Sequence, residues 1–279
     1  ISAVGNVEAY STINVVSQIG GQLTRAYFQE GDFVRKGDKL FSIDPSPIEA
    51  QVAQAEANVA KDEALLSQAE ANLARDTANQ KYAADQAGRY SKLFDEGIIS
   101  REQRDQFISS ANAYDQTIRA DNAAVNSIHA QIKADEANVK NLKVQMSYTT
   151  VYSPIDGRTG NVTVKVGNIV IPGTLVLVTI TQVQPIYVTF SVPETHFAEL
   201  RHSMADTKSR LPVTATPQDG SAEPETGVLT FADNNIDPTT GTIKLKATFP
   251  NANRKLWPGA FANVSLRMGQ QADAVIVPN

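Results

Sequence analysis

The 279-residue chain contains no cysteine, and it also lacks long hydrophobic runs and an excess of positive charge. Without cysteine it forms no disulfides, offers no thiolate for catalysis and cannot bind a metal through sulfur. No apolar run approaches the roughly 18 residues that a membrane-spanning helix needs, so the sequence predicts no such helix. The net charge of −5 gives no electrostatic case for binding nucleic acid.

Motifs that hold metal ions or phosphate are missing as well. The three histidines are scattered, and none has a second ligand at metal spacing. GDFVRKGDK, residues 31–39, looks like a phosphate-binding loop, but Asp38 stands where such a loop needs lysine. DNNIDPTTG, residues 233–241, imitates a calcium loop, but Pro238 occupies the position of its glycine. We therefore expect no metal site, no cofactor and no catalytic residue, and a polar turn at residues 233–241.

Residues 46–146 predict two long antiparallel helices. Apolar residues recur at a seven-residue spacing, which places one stripe on each helix, and two such stripes bury each other. The stripe of the first helix contains Val52, Ala55, Val59, Leu66, Ala69, Leu73, Gln80, Ala83, Ala87, Tyr90 and Phe94. The stripe of the second helix contains Phe107, Ala111, Tyr114, Ile118, Asp121, Val125, Ile128, Ile132, Asp135, Val139, Leu142 and Met146. The polar residues weaken this seam, and we interpret them as register marks or as contacts to another molecule. A helix of about 48 residues spans roughly 70 Å, so we expect the hairpin to project.

The turn between the two helices is encoded locally, at about residues 95–100. Gly97 favours the left-handed conformation that ends a helix. Ser100 and Gln103 form an S-x-x-Q capping box, which begins a new helix. The chain is therefore expected to reverse its direction here.

Two residues next to this turn lie off the predicted seam. Arg89 and Leu93 are four residues apart and share one flank of the first helix. Leu93 is then an apolar side chain without a partner inside the hairpin. The alternative is that neighbouring side chains cover Leu93 and that Arg89 pairs with Asp85.

Residues 13–45 and 147–180 are two copies of one unit, at an offset of 136 residues. Seven pairs share a residue type: Val15 and Val151, Ser17 and Ser153, Ile19 and Ile155, Gly21 and Gly157, Gly31 and Gly167, Val34 and Val170, Gly37 and Gly173. Matched glycines indicate matched turns, and the β-branched residues between them indicate short strands. The two halves, separated by the hairpin, predict one small β-sandwich. Ser46–Glu49, at the start of the hairpin, reads S-P-I-E and predicts a capping box with proline at the first helical position.

The rest of the chain predicts an antiparallel β domain. Residues 181–268 contain several alternating segments separated by polar turns, which favours a small barrel or sandwich. Residues 1–12 have a strand-like pattern and are expected to supply its first strand. Residues 193–204 predict a short helix within this domain.

RYSKLFDEGIIS, residues 89–100, resembles the hairpin-tip motif of the periplasmic adaptors, or HlyD-like membrane fusion proteins, of tripartite efflux pumps. The arginine, leucine and serine of that motif match Arg89, Leu93 and Ser100, and we expect Gly97, Ile98 and Asp105 to support them. EGDFVRKGDKLFSID is similar to half of a lipoyl domain, and GVLTFADNNIDPTTGTIKLKATFPN resembles the barrel of adaptors that serve resistance-nodulation-division (RND) transporters. The implied fold class is α+β, elongated and multidomain: a coiled-coil hairpin inserted between two halves of a lipoyl-like β-sandwich, followed by a small antiparallel β-barrel. Residues 269–279 would begin a membrane-proximal domain.

The resemblance implies a non-enzymatic coupler. Its partners would be an inner-membrane, proton-driven RND transporter, an outer-membrane TolC-like channel and further copies of itself, six in the family. It would lie in the periplasm of a Gram-negative bacterium and be held at the inner membrane by an anchor outside this sequence. At the tip, Leu93 would pack between channel helices, Arg89 would donate hydrogen bonds to the channel, and Ser100 would cap its helix and add a contact.

Three other functions are consistent with parts of the sequence. The chain could serve an ABC-type exporter or a type I secretion system, because the tip motif does not distinguish these from RND pumps. It could also be an oligomeric coiled-coil scaffold without a channel partner. A lipoyl carrier is disfavoured because residues 44–47, where a carrier has its modified lysine, read Asp-Pro-Ser-Pro, so we expect no lipoyl attachment.

Overall fold

The computed structural model describes residues 1–196, 199–201, 211–218 and 223–268. The chain forms two compact units. The β unit consists of Ile1–Ile43 and Thr150–Asn279, and the helical unit consists of Asp44–Thr149. Within the described ranges, no helix combines the length and the apolar composition needed to cross a membrane. The α+β fold class, with a helical hairpin inserted into a β structure, is confirmed.

The β unit contains the following strands: β1 (Ser2–Val16), β2 (Gly21–Ala26), β3 (Phe33–Val34), β4 (Lys39–Ile43), β5 (Thr150–Tyr152), β6 (Gly157–Val162), β7 (Ile169–Val170), β8 (Val176–Pro193), β9 (Pro212–Pro217), β10 (Glu225–Asp237), β11 (Thr242–Phe249) and β12 (Phe261–Leu266). All strand pairings are antiparallel. Six strands form a closed barrel in the order β1-β12-β9-β10-β11-β8, and β1 then pairs with β8. Closure leaves the barrel without a free edge strand.

The barrel core follows the two-residue period of its strands. In β11, Ile243, Leu245, Ala247 and Phe249 point inward and are almost fully buried, while the residues between them are more accessible. The core contains no buried charged side chain among the described residues that form it. Burial of these apolar side chains is the main source of stability in this part of the chain.

The sandwich shows the twofold repeat in its hydrogen bonds. The amide of Gly37 donates to the carbonyl of Ser153 over 2.8 Å, and the amide of Gly173 donates to the carbonyl of Ser17 over 2.9 Å. Both serine hydroxyls also donate to the carbonyl of the residue two positions later. Gly37 and Gly173 have φ angles of +90° and +70°, which explains glycine at these turns.

β1 and β8 belong to both parts of the β unit. β8 has 18 residues and β1 has 15, whereas typical strands have about five or six. β1 pairs with β12 in the barrel and continues to Val16, so it extends beyond the predicted strand of residues 1–12. The pairing of β1 with β8 shifts register between Ala9 and Ser11. Such a bulge changes the direction of the strands as they pass from barrel to sandwich.

The helical unit consists of α1 (Ser46–Asp95) and α2 (Arg101–Ser147). α1 has 50 residues, which corresponds to a length of about 75 Å. The predicted break at residues 95–100 is confirmed. The predicted capping box at Ser46 is wrong, because Pro45 is the N-cap and no side chain caps the helix. Instead, the Ser46 hydroxyl donates to Oδ1 of Asp44 over 2.6 Å, and the Ser46 amide donates to the same oxygen.

The seam between the helices contains more charge than the prediction allowed for. Asp62 and Asp76 occupy seam positions that the predicted stripe omitted, and both are at least nine-tenths buried. Asp121 lies near Asp76 across the seam, and its Oδ2 atom is buried with no hydrogen-bond partner among the described residues. Gln80 donates to Oδ1 of Asp115 over 2.8 Å. Gln80 and Asp115 therefore bind each other across the helices, as register marks would, whereas Asp76 pairs with Arg75 and Asp62 with Lys61 on α1 itself.

The helix predicted for residues 193–204 does not begin at residue 193 in the structure. β8 continues through Pro193, and Glu194–His196 forms one 3-10 turn. Residues 197, 198 and 202–204 lie outside the described residues, as do residues 269–279. The polar turn expected at residues 233–241 is shorter than predicted, because β10 continues through Asp237 and the turn covers residues 238–241. Oδ1 of Asp237 accepts hydrogen bonds from the amide and hydroxyl of Thr239.

Candidate functional site at the hairpin tip

The first helix ends in a Schellman motif. The Gly97 amide donates to the Phe94 carbonyl, and the Ile98 amide donates to the Leu93 carbonyl, each over 2.9 Å. Gly97 has a φ angle of +73°, which a side chain would disfavour, and this explains why glycine occupies the position. The motif satisfies the last carbonyls of α1 without help from another molecule.

The second helix begins with the predicted capping box. The Ser100 hydroxyl accepts a hydrogen bond from the Gln103 amide over 3.3 Å. The Gln103 side chain accepts one from the Ser100 amide over 3.2 Å. Ser100 therefore has the capping role that the sequence predicted, and its hydroxyl also lies on an exposed residue.

Aromatic and cationic side chains join the two helices just behind the turn. The rings of Tyr90 and Phe107 stack with their centroids 3.8 Å apart. The Arg104 guanidinium lies 4.3 Å from the centroid of the Phe94 ring. Stacking and cation–π contacts favour a defined geometry, so they fix the relative position of the helix ends.

Asp105 binds within the tip and is not a free acceptor. Its carboxylate accepts two hydrogen bonds from Arg104, over 2.6 and 2.9 Å. Its Oδ2 atom also lies 3.7 Å from Nε of Arg101. Asp105 thus holds Arg104 in place over Phe94, and its support for the tip is internal.

Arg89, Leu93 and Ile98 are tip side chains that keep solvent-accessible surface. Arg89 is exposed and forms no hydrogen bond or ion pair with any residue that the structure describes, so the alternative pairing with Asp85 is absent. Leu93 is partly buried, which differs from the expectation of a side chain without neighbours. Ile98 is 64% exposed, more than any other large apolar side chain described at the tip. A free guanidinium beside exposed apolar surface is suited to docking on another protein.

Arg104 is the tip residue that sequence reasoning missed. It follows the capping box, and nothing in the helical spacing indicates that it reaches a ring on the other helix. Its contact with Phe94 depends on the distance between two helices that are separated by a turn. A local pattern carries no information on that distance.

Two family models match the chain. The model described as RND MFP, barrel-sandwich hybrid domain, matches residues 11–182. The model described as RND MFPs, beta-barrel domain, matches residues 185–270. MFP denotes a membrane fusion protein. Together the two models extend over the sandwich, the hairpin and the barrel.

Curated relatives match the chain over its whole length. Multidrug resistance protein MdtA of Salmonella typhimurium is 37% identical over 279 residues, which are 100% of this chain and 60% of that protein. The protein of the same name from Xenorhabdus bovienii is 33% identical over 280 residues, covering 100% of this chain and 61% of that protein. The chain thus spans about three-fifths of the length of these relatives.

Solved structures share the fold at lower sequence identity. MacA from Actinobacillus actinomycetemcomitans has a TM-score of 0.66 at 20% identity, over 96% of this chain and 78% of that one. The membrane fusion protein Spr0693 from Streptococcus pneumoniae R6 has a TM-score of 0.59 at 17% identity, over 97% of this chain and 100% of that one. At these identities the likeness establishes the fold alone.

Proposed function

Because the chain belongs to the RND membrane fusion protein family, we propose that it is a periplasmic adaptor that links an inner-membrane RND transporter to an outer-membrane channel. The pump would export small molecules, as the name of the multidrug resistance relatives suggests. The chain itself would have no enzymatic activity. It would lie in the periplasm of a Gram-negative bacterium, held at the inner membrane by an anchor outside these 279 residues.

The tip of the hairpin is the surface that we assign to a TolC-like outer-membrane channel. Arg89 would donate hydrogen bonds to carbonyl or carboxylate oxygens of the channel, because none of the described residues occupies its guanidinium. Leu93 and Ile98 would pack between channel helices. Gly97, Ser100 and Asp105 would hold this surface in shape through the Schellman motif, the capping box and the Arg104 pair. The unoccupied guanidinium of Arg89 is the observation that carries this assignment.

Assembly of several copies, six by analogy with the family, completes the proposal. The exposed faces of α1 and α2 are rich in alanine and short polar side chains, which permit close approach of neighbouring hairpins. An ABC-type exporter or a type I secretion system is the less favoured partner, because both matching family models describe RND proteins.

Photo-crosslinking in cells tests the channel contact. A photoreactive amino acid at position 98 or 93 should form a product with the outer-membrane channel, and one at Gln68, an exposed position far along α1 from the tip, should not. Products between adaptor copies at all three positions, without a channel product, would favour an oligomeric scaffold that has no channel partner.

Paired arginine substitutions test the role of Arg89. Arg119 is also exposed and also forms no hydrogen bond or ion pair with the described residues, but it lies in the middle of α2. We expect Arg89→Ala to abolish most drug resistance at an unchanged protein level, and Arg119→Ala to leave resistance intact. Equal resistance in the two variants would remove Arg89 from the site. The stronger changes Leu93→Asp and Ser100→Arg should abolish resistance, but their effect on the fold of the tip needs to be measured alongside.

A further inference from the structure

One loop of the β unit has a backbone conformation that side chains rarely adopt. Asn251 and Arg254 have φ angles of 51° and 56°, and no other non-glycine residue in the described ranges has a positive φ. Asparagine tolerates the left-handed region, whereas arginine rarely enters it, so this geometry costs free energy. Strained backbone persists where the surroundings enforce it, and it is frequent at binding sites.

Asn251 enforces the conformation of this loop. Its side chain is fully buried, and its Nδ2 atom donates to the carbonyls of Val183 and Leu256 over 2.9 Å each. Its Oδ1 atom accepts a hydrogen bond from the Leu256 amide over 3.0 Å. The Gln184 side chain donates to the carbonyls of Asn251 and Ala252 from the neighbouring strand β8. The loop is therefore held at both of its ends.

The same loop fixes the guanidinium of Arg254. The central carbon of this group lies 3.6 Å from the centroid of the Phe33 ring, and Nε donates to Oε1 of Gln184 over 3.2 Å. Arg254 is exposed, and it forms no ion pair with any described residue. An arginine that is already oriented loses less conformational entropy when it binds an anion.

Arg254 lines a cleft of about 480 Å³, a size within the usual range for small-molecule sites. A second arginine, Arg35, lines the same cleft, and its guanidinium forms no hydrogen bond or ion pair with the described residues. The cleft has one carboxylate, Asp156, whose Oδ1 accepts a hydrogen bond from the Lys36 amide over 2.8 Å. The lining therefore has an excess of positive charge, although the chain as a whole is acidic.

We propose that this cleft binds a small organic anion that contains an aromatic ring. Arg254 and Arg35 hold its acidic group, and the ring packs against the exposed part of Phe33, which is 43% accessible. Paired charge-assisted hydrogen bonds of this kind are stronger than neutral ones and select carboxylate or sulfonate geometry.

The alternative is that Arg254 and Arg35 only connect parts of the β unit, but this role accounts for fewer of the observations. Stacking of Arg254 on Phe33 joins the barrel loop to β3 of the sandwich, which accounts for Arg254 alone. Arg158 already makes a similar connection, because its guanidinium lies 4.8 Å from the Trp257 ring centroid and Nε donates to the Gly31 carbonyl. The structural role leaves the unpaired Arg35 unexplained. The proposed site lies in the β unit and does not depend on the function of the hairpin tip.

Calorimetric titration of the 279-residue chain with naphthalene-2-sulfonate tests this site. We expect one binding site per chain, and no binding of the neutral analogue naphthalene-2-sulfonamide. Arg254→Gln and Arg35→Gln should each raise the dissociation constant by about 10- to 100-fold, as expected when one charge-assisted contact is lost. The matched control is Arg25→Gln, since Arg25 also lies over an exposed ring, that of Tyr27, but outside the cleft. Its affinity should equal that of the unmodified chain.

Three results would overturn the proposal. Equal binding of the sulfonamide would exclude recognition of the charge, and competition by inorganic sulfate at the same concentration would exclude a role for the ring. If Arg35→Gln bound naphthalene-2-sulfonate as tightly as Arg25→Gln does, this cleft would be excluded as the binding site. The Arg35 variant is decisive because its side chain makes no described polar contact, so its fold, checked by circular dichroism, should not change.

Discussion

The barrel and the helical hairpin bury their side chains to very different degrees. In β11 of the barrel, Leu245, Ala247 and Phe249 are completely inaccessible. In α2, which has 47 residues, Ile132 is the only buried residue. A barrel surrounds each inward side chain with strands on every side, whereas a seam residue of a two-helix hairpin is covered by one neighbouring helix.

This difference explains why the two regions tolerate different residues. The barrel core excludes charge among its described residues, whereas the hairpin seam accepts Asp62 and Asp76. Each of these buried carboxylates reaches a cation on its own helix, Asp62 at Lys61 and Asp76 at Arg75, which compensates for the loss of hydration. The hairpin therefore depends on many weak contacts and keeps most of its surface free for other molecules.

The largest effect is expected from truncation in the barrel core. Phe249→Ala removes a fully buried ring and should reduce the free energy of unfolding of the β unit by about 3–5 kcal/mol. Phe261→Ala, on the same barrel but 59% exposed, should cost less than about 1 kcal/mol. Chemical denaturation followed by tryptophan fluorescence measures both, and similar losses would contradict the burial contrast.

Replacing charged seam residues by leucine should change stability by an intermediate amount, and it should stabilise the protein instead of destabilising it. Asp62 lies two heptads from Asp76, and Asp135 lies two heptads from Asp121, so the register places Asp62 and Asp135 at one level. Changing both to leucine should stabilise the hairpin by about 1–3 kcal/mol through added apolar burial. Hydrogen exchange of α1 amides measures this gain.

The control for that experiment is Glu63→Leu, which adds the same side chain on the exposed face of α1. It should leave exchange nearly unchanged. Slower exchange in the control than in the double variant would mean that helix propensity, and not seam burial, governs the hairpin.

Loss of the cap at the tip should have a smaller effect. Ser100→Ala removes the acceptor for the Gln103 amide and should destabilise the start of α2 by about 1 kcal/mol. Ser127→Ala, at an exposed position in the middle of α2, should instead stabilise the helix slightly, by about 0.5 kcal/mol. Faster amide exchange in Ser100→Ala and slower exchange in Ser127→Ala would separate the effect of capping from that of helix propensity. A change in the same direction in both variants would contradict the capping role.

The smallest effect concerns pH. The hydrogen bonds from Arg75 hold the pKa of Asp76 below its usual value. Because the folded pKa is below the unfolded one, ionised Asp76 stabilises the hairpin above the unfolded pKa of about 3.9, and this contribution is lost as the pH falls through the folded pKa. Arg75→Gln should raise the pKa of Asp76, as measured by carboxyl ¹³C chemical shifts. An unchanged titration of Asp76 would exclude Arg75 as the cause.

Sequence reasoning succeeded where a feature depends on neighbouring residues. The capping box at Ser100 and the glycine turn at Gly97 need only three or four consecutive positions, and both are confirmed. The capping box predicted at Ser46 was wrong, because the Ser46 hydroxyl binds Asp44 instead of capping the helix. Two local patterns, a capping box and a turn at Asp44, were both possible for these residues. The stripe of α1 was incomplete because aspartate at positions 62 and 76 does not look like a buried residue.

The sequence alone determined the hairpin, because helix periodicity, glycine and capping residues act within a few positions of each other. It also determined the twofold repeat of the sandwich, since matched glycines impose matched turns. Only the tertiary structure decided that β1 closes the barrel by pairing with both β12 and β8, and that Arg254 meets Phe33. These contacts join residues more than 150 positions apart, and their partners are selected by packing of the whole unit, which no local pattern records.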